Sequence, residues 1–174
     1  MKNWRWLLIF LAFFVVGCGS LGTEKNINND DVISFSIDDP EMNAAIQEAQ
    51  ATLDTFVAAL QSPKSSQTYF SIKARFPYGD QGAAEHIWLE EVSYDGKYFN
   101  GKIANDVYYV PNLQYGDAVV IIWGNVSDWM IIENGKLIGG YTIRVRYCRM
   151  SPQEQQQFLE ENQWFIEESC NQGN

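Results

Sequence analysis

The chain has 174 residues, enough for one ordinary domain with a terminal segment and too few for two independent hydrophobic cores. Apolar residues make up 46% of it and aromatic residues 14%, which favours a packed core and excludes extensive disorder. The 22 Asp and Glu against 12 Lys and Arg give a net charge of -10, which excludes nucleic acid as a favoured partner because phosphates repel so acidic a chain.

Residues 1–17 have the pattern of an export signal. Two basic residues precede an apolar stretch over residues 6–16, which is shorter than the ~20 residues that a spanning helix needs. The following Val-Val-Gly-Cys at residues 15–18 resembles the lipobox of bacterial lipoproteins. That resemblance implies that the signal is cut before Cys18, and that Cys18 is acylated and anchors the chain to a membrane. An ordinary cleaved signal or an uncleaved anchor is the alternative.

The residues after Cys18 indicate where the anchored protein lies. In Gram-negative lipoproteins an Asp after the acylated Cys favours the inner membrane, and Gly19 stands here. The resemblance therefore implies the outer membrane, facing the periplasm, if the envelope is Gram-negative. Residues 18–38 are mostly polar and are predicted to be a lipidated tether, with a short edge strand allowed over residues 33–37.

A helix is predicted to open the domain. Asp39 suits the N-cap and Pro40 the first helical position, and Ser62-Pro63 ends the element. Apolar residues recur at steps of three and four, which predicts one buried face: Met42, Ala45, Ile46, Ala49, Leu53, Phe56, Val57 and Leu60.

From residue 68 to residue 147 the pattern alternates, as in half-buried strands. Asp95-Gly96 and Asn134-Gly135 are strong signals for tight hairpin turns, so neighbouring strands should pair antiparallel. The pattern predicts strands over residues 68–76, 86–94, 98–103, 118–123, 126–133 and 137–147.

A second helix is predicted to close the domain. Ser151, Pro152 and Glu154 form a capping-box pattern, and the helix should continue to Glu168. We therefore expect an α+β fold, with a curved antiparallel sheet of five or six strands flanked by an N-terminal and a C-terminal helix. A single domain over residues 39–170 leaves residues 171–174 as a tail.

Six short motifs follow one another along the predicted sheet. They are Phe-Ser-Ile-Lys-Ala-Arg-Phe at 70–76, Glu-His-Ile-Trp-Leu at 85–89, Gly-Lys-Ile-Ala-Asn at 101–105, Gly-Asp-Ala-Val at 116–119, Ser-Asp-Trp-Met at 127–130 and Gly-Gly-Tyr-Thr-Ile-Arg at 139–144. In this order they resemble the YegJ-like bacterial domain of unknown function, DUF2314. The resemblance implies a small domain found in bacterial lipoproteins and ankyrin-repeat proteins, with no assigned activity. By analogy of fold, the ankyrin association favours interaction over catalysis.

The single imidazole, His86, is the only candidate for histidine-based acid–base chemistry. It shares a strand face with Trp88, and Asp128 and Ser127 are candidates to orient it or to supply a hydroxyl. A structural hydrogen-bonding role for His86 and Asp128 is the preferred alternative. One His and three Cys are too few for the usual zinc or iron–sulfur sites, so no metal and no cofactor are expected.

Three other residues complete the candidate binding set: Trp129, Tyr141 and Arg144. Surplus aromatic residues suit stacking on a sugar or gripping a peptide, although core packing is the commoner use. On two predicted strands, a basic stripe could hold an anion: Lys73, Arg75, Arg144 and Arg146. The preferred alternative pairs this stripe with the Glu-rich last helix.

Cys148 and Cys170 remain once Cys18 is acylated, and an oxidising periplasm permits a disulfide between them. A helix over residues 152–168 would be about 25 Å long and would hold the two cysteines apart. We therefore expect free thiols unless the helix ends early.

Together these features predict a lipid-anchored envelope protein whose domain binds another macromolecule without chemistry, as an immunity-like or envelope-maintenance factor. The membrane, through Cys18, and a protein are its expected partners. A module for binding cell-wall saccharides is the first alternative. A hydrolase using His86 and Asp128 is the second.

Overall fold

The computed structural model describes residues 39–80, 82–167 and 170, which form an open antiparallel sheet with helices. The signal, the lipobox, the tether and the predicted strand over 33–37 lie outside these residues. The elements are α1 (Pro40–Ala51), α2 (Leu53–Gln61), β1 (Gln67–Pro77), β2 (Ala84–Tyr94), β3 (Tyr98–Ile103), β4 (Ala118–Ile122), β5 (Val126–Glu133), β6 (Lys136–Gly139), α3 (Tyr141–Arg149) and α4 (Pro152–Asn162). None of the helices in this part of the chain is long and apolar enough to cross a membrane.

The six strands are in the order β4-β3-β2-β1-β5-β6, and each neighbouring pair is antiparallel. The predicted α+β class and the predicted sheet are confirmed. Both hairpin signals hold, because Gly96 and Gly135 take positive φ values of 96° and 77° between their paired strands.

The predicted first helix is divided at Thr52 into α1 and α2. Asp39 caps α1 as predicted, accepting a hydrogen bond of 3.1 Å from the backbone N–H of Met42. The Thr52 hydroxyl donates back to the carbonyl of Glu48 at 2.8 Å, and this local bond competes with regular helix at that position. Both helices bury the predicted face nonetheless.

This buried face covers one side of the sheet, which we call the core face. Phe56 and Trp129 lie at its centre with ring centroids 5.7 Å apart, and the indole N–H of Trp129 donates to the carbonyl of Ala49 at 3.1 Å. The sheet residues buried here are Ile72, Ala74, Ile87, Leu89, Phe99, Ile103, Ile121, Val126, Trp129 and Ile131. Burial of these side chains is the main source of stability for the domain.

The last predicted strand, over residues 137–147, is wrong beyond residue 139. There β6 ends, and helix α3 begins two residues later. Gly139 and Gly140 take φ values of 70° and 64°, a conformation that stops a strand and turns the chain sharply. Arg144 and Arg146 therefore lie on a helix and do not form a stripe with the strand residues.

Helix α4 ends at Asn162, six residues before the predicted end, because Gln163 takes the left-handed conformation. The capping box of Ser151 and Glu154 is present as predicted. The early end lets the chain return, and Cys148 and Cys170 form a disulfide with Cα atoms 5.2 Å apart. The expectation of free thiols was therefore wrong, because the helix ends early.

Candidate functional site

The candidate site lies on the sheet side opposite the core face, where β1, β2 and β5 run side by side. We call this side the polar face. Strand register places Arg75 opposite His86, and Lys73 opposite both Trp88 and Asp128. The predicted neighbours His86, Trp88 and Asp128 thus share one face.

Trp129 and Tyr141 do not belong to this face, because Trp129 lies opposite Ile72 and points into the core with it. Trp129 is 2% exposed, and Tyr141 packs against it and hydrogen-bonds the Thr52 hydroxyl at 2.9 Å. These two residues are structural. The third, Arg144, donates to the carbonyls of Gly139 at 2.9 Å and Leu137 at 2.7 Å, and so fastens α3 to β6.

His86 is held by Ser127, whose hydroxyl oxygen lies 2.8 Å from the ring Nδ1. The Ser127 hydroxyl donates to the backbone carbonyl of Lys73 at 3.3 Å. Which of the two groups donates in the His86–Ser127 bond depends on the tautomer of the imidazole. A serine nucleophile must also be open to a substrate, and Ser127 is 2% exposed.

The electrostatic surroundings of His86 oppose its protonation. Burial, with the charges of Lys73 and Arg75, lowers the pKa of His86 to about 4, although part of the residue is exposed. At neutral pH, His86 is therefore an uncharged group beside two cations.

Asp128 is fully buried and caps α3 from a distant strand. It accepts hydrogen bonds from the backbone N–H groups of Trp129 at 2.8 Å, Tyr141 at 3.1 Å and Thr142 at 2.8 Å. The Thr142 hydroxyl donates a fourth at 2.6 Å. Both carboxylate oxygens of Asp128 are occupied by these hydrogen bonds, so Asp128 caps the N-terminus of α3. The geometry therefore supports the structural role of Asp128, which was the preferred alternative.

The positive charge of Lys73 is linked to this carboxylate by the hydroxyl of Thr142. Its Nζ donates to the Thr142 hydroxyl at 2.9 Å and lies 5.0 Å from the centroid of the Trp88 ring. Burial lowers the pKa of Lys73, and the charge of Asp128 opposes that shift. Burial likewise raises the pKa of Asp128, opposed by Lys73 and by the Thr142 hydrogen bonds. Lys73, Thr142 and Asp128 thus form a polar chain that joins β1, α3 and β5, in which Thr142 and Asp128 are buried and Lys73 is half-buried.

Sequence reasoning treated Lys73 as one of a set of outward cations and did not single out Thr142. The alternation of β1 shows that Lys73 lies on the polar face. It does not show that α3 covers this face, because α3 was expected to be a strand. The available signal for a covered lysine was the position of Lys73 between Ile72 and Ala74, both of which are fully buried.

The predicted pairing with the Glu-rich last helix is not found for Lys73, Arg75 or Arg146 among the described residues. Within residues 39–80 and 82–167, no carboxylate lies within ion-pair distance of Lys73, Arg75 or Arg146. Arg75 donates to the carbonyl of Gly82 at 2.9 Å, and the Arg146 guanidinium lies 5.9 Å from the Phe158 ring. The described residues also contain no group of three His, Cys, Asp or Glu that could hold a metal ion.

The environment of His86 predicts how the domain responds to acid. The folded protein is expected to bind the His86 proton only near pH 4, whereas the unfolded chain binds it near 6.5. Because the unfolded chain alone is protonated between these values, the free energy of unfolding should fall as the pH falls from about 6.5 to 4. NMR titration of the ring protons checks the pKa, and the His86→Gln variant should lose less stability over this range. A ring that titrates near 6.5 would contradict the described environment.

Comparison with known proteins confirms the predicted family. The profile of the family described as "Uncharacterized protein conserved in bacteria (DUF2314)" matches residues 39–165. The uncharacterized protein YegJ of Escherichia coli is 36% identical over 143 residues, which are 82% of this chain and 86% of that protein. A putative ankyrin repeat protein of Neisseria meningitidis is 32% identical over 80 residues, 45% of this chain and 32% of that protein. No solved structure matches the chain. From the family match and the YegJ similarity, we conclude that the chain belongs to the DUF2314 family of bacterial proteins.

Proposed function

We propose that the protein is a lipid-anchored component of the bacterial envelope whose domain binds another protein and performs no chemistry. One observation carries the non-catalytic part of this proposal: Ser127 and Asp128 are both buried, and the carboxylate of Asp128 is occupied by the N-terminus of α3. Ser127 is 2% exposed and Asp128 is 0% exposed. Asp128 caps α3, so neither residue supports His86 in the roles that hydrolysis requires.

What the polar face offers is a surface for recognition. His86 and Arg146 are exposed, and Trp88 and Arg75 are half-buried beside them. Two guanidinium groups and an indole on one face are groups that protein interfaces favour. The ankyrin-repeat relative supports the same conclusion, because the matched segment there is one part of a longer putative ankyrin repeat protein.

Photocrosslinking in cells tests the binding function. A photoreactive amino acid placed at position 86 should give a discrete protein adduct, and the same amino acid at Asp54, exposed on α2, should not. The two positions are in the same protein at the same place in the cell, so the comparison tests only whether a partner contacts the polar face and not α2. Identical products at both positions, or none at position 86, would overturn the proposal.

The lipid anchor is tested by a change at Cys18. The Cys18→Ala variant is expected to leave the membrane fraction and to lose all labelling by a palmitate analogue, because no other residue of the lipobox can be acylated. Cys148→Ser is the matched control, since it removes a cysteine of the described domain without touching the lipobox. Continued labelling of Cys18→Ala would contradict the anchor.

Saccharide binding is the second candidate, favoured by tyrosines on the surface. Tyr109 is 51% exposed and stacks on Tyr78 with ring centroids 5.1 Å apart. A stacked, exposed ring can lie against a sugar face. Titration with cell-wall fragments should change the intrinsic fluorescence of the wild type but not of Tyr109→Ala if this candidate holds. No change in the wild type would remove it.

A further inference from the structure

We infer that Lys73, Arg75 and Arg146, beside the exposed edge of His86, form a binding site for the carboxylates of an extended acidic protein segment. We call these three basic residues the cationic cluster. The inference rests on the proposed binding function and names the chemistry of the partner.

Three elements bring the cluster and His86 together. Lys73 and Arg75 are two residues apart on β1 and point to the same face, and β2 places His86 directly opposite Arg75. Helix α3 adds Arg146, which lies one turn after Thr142 on the same side of the helix, and the Thr142 hydroxyl accepts from Lys73 at 2.9 Å. Trp88 lies opposite Lys73 and supplies an apolar surface beside the charges.

Ion pairing distinguishes these cations from most others in the domain. Lys64 pairs with Glu133, Lys102 with Glu91, Lys136 with Glu167, and Arg149 with both Asp39 and Glu41. Lys73, Arg75 and Arg146 lack such a partner among the described carboxylates, although the chain carries 22 acidic side chains.

The one carboxylate that acts on Lys73 is Asp128, and it is separated from the ammonium by the Thr142 hydroxyl. Asp128 also accepts three backbone N–H groups. It therefore offsets the charge of Lys73 in part and leaves Arg75 and Arg146 without compensation. Like charges gathered on a rigid surface repel one another, and an external anion relieves that repulsion.

The spacing of the charges favours carboxylates along a chain over a single phosphate group. Lys73 and Arg75 are separated by about 6.6 Å along the strand, twice the rise of one residue. Alternate side chains of an extended peptide repeat at that same distance, so acidic residues at alternate positions match the two cations. The guanidinium of Arg75 gives one N–H to Gly82 and keeps others for a bidentate contact.

The test uses the full purified chain in detergent micelles and a fluorescent peptide of alternating Glu and Ser. Fluorescence anisotropy should detect binding that weakens as salt is raised, and a peptide of alternating Gln and Ser should not bind. The double variant R75Q/R146Q should weaken binding about fivefold or more, since it removes two charge contacts. Lys97→Gln, which removes an exposed charge in the β2–β3 turn, should bind like the wild type. Lys73 is left intact because it supports the fold.

Three outcomes would overturn the inference. One is equal binding of the Gln peptide, and another is an R75Q/R146Q variant that binds as tightly as the wild type. The third is displacement of the peptide by inorganic phosphate where chloride of equal ionic strength has no effect, which would assign the cluster to phosphate.

The same double variant separates this inference from the proposed function. An adduct at position 86 that persists in R75Q/R146Q cells would remove the cationic cluster and leave the binding function. Loss of that adduct in R75Q/R146Q, but not in Lys97→Gln, is the expected result.

Discussion

Replacing Asp128 with alanine is expected to lower the free energy of unfolding by about 3–5 kcal/mol, because several buried donors lose their charged acceptor at once. Asp128 is fully buried and accepts four hydrogen bonds, three of them from backbone N–H groups. Its loss leaves those donors without an acceptor and leaves Lys73 without its counter-charge. Urea unfolding of the purified protein measures the effect.

A double-mutant cycle with Lys73→Met separates the contribution of the hydrogen bonds to α3 from that of the charge of Lys73. If the pair is coupled through Thr142, the combined variant should be less destabilised than the sum of the two single changes. Thr142→Val is a further probe, because it removes the bridging hydroxyl and keeps the shape of the side chain. Strict additivity would show that Asp128 acts on α3 alone, and an unchanged urea midpoint for Asp128→Ala would refute the described site.

The fold could be predicted to a large extent because its elements have local signals. Asp39, the Asp95-Gly96 turn and the Ser151 capping box each act within a few residues of themselves, and the structure confirms all three. The apolar spacing of α1 and α2 likewise identified the buried face. Local signals failed at α3, which has no capping residue of its own. Gly140 occupies its N-cap, and the capping carboxylate comes from Asp128 on β5.

That nonlocal cap also explains what could not be predicted of the site. A strand over residues 137–147 would have placed Arg144 and Arg146 in line, whereas the helix directs Arg144 to β6 and leaves Arg146 near Lys73. The alternation of side chains along β1 and β2 correctly placed four residues on one face: Lys73, Arg75, His86 and Trp88. The bulge in β5 lies between Val126 and Asp128, and an inserted residue of this kind is invisible to a strict alternation.

Replacing Gly139 with alanine should destabilise the domain by about 3 kcal/mol or more, from positive-φ strain and overpacking together. A Cβ atom at Gly139 would lie 2.4 Å from the carbonyl oxygen of Trp129 and 2.6 Å from its ring. Gly139 also has a φ of 70°, which an alanine adopts only with strain. Neither obstacle is a flexible side-chain tip, since Trp129 is packed in the core.

Gly124→Ala is the matched control for this change. A Cβ there meets no atom within 4 Å, and Gly124 does not take a positive φ, so its melting temperature should stay near that of the wild type. The turn at Gly139 sets where α3 begins, and α3 carries Thr142 and Arg146 to Lys73. Folded Gly139→Ala protein should therefore also bind the Glu-Ser peptide more weakly, whereas Gly124→Ala should bind it normally. A Gly139→Ala protein with wild-type stability and binding would show that this turn does not position the cationic cluster.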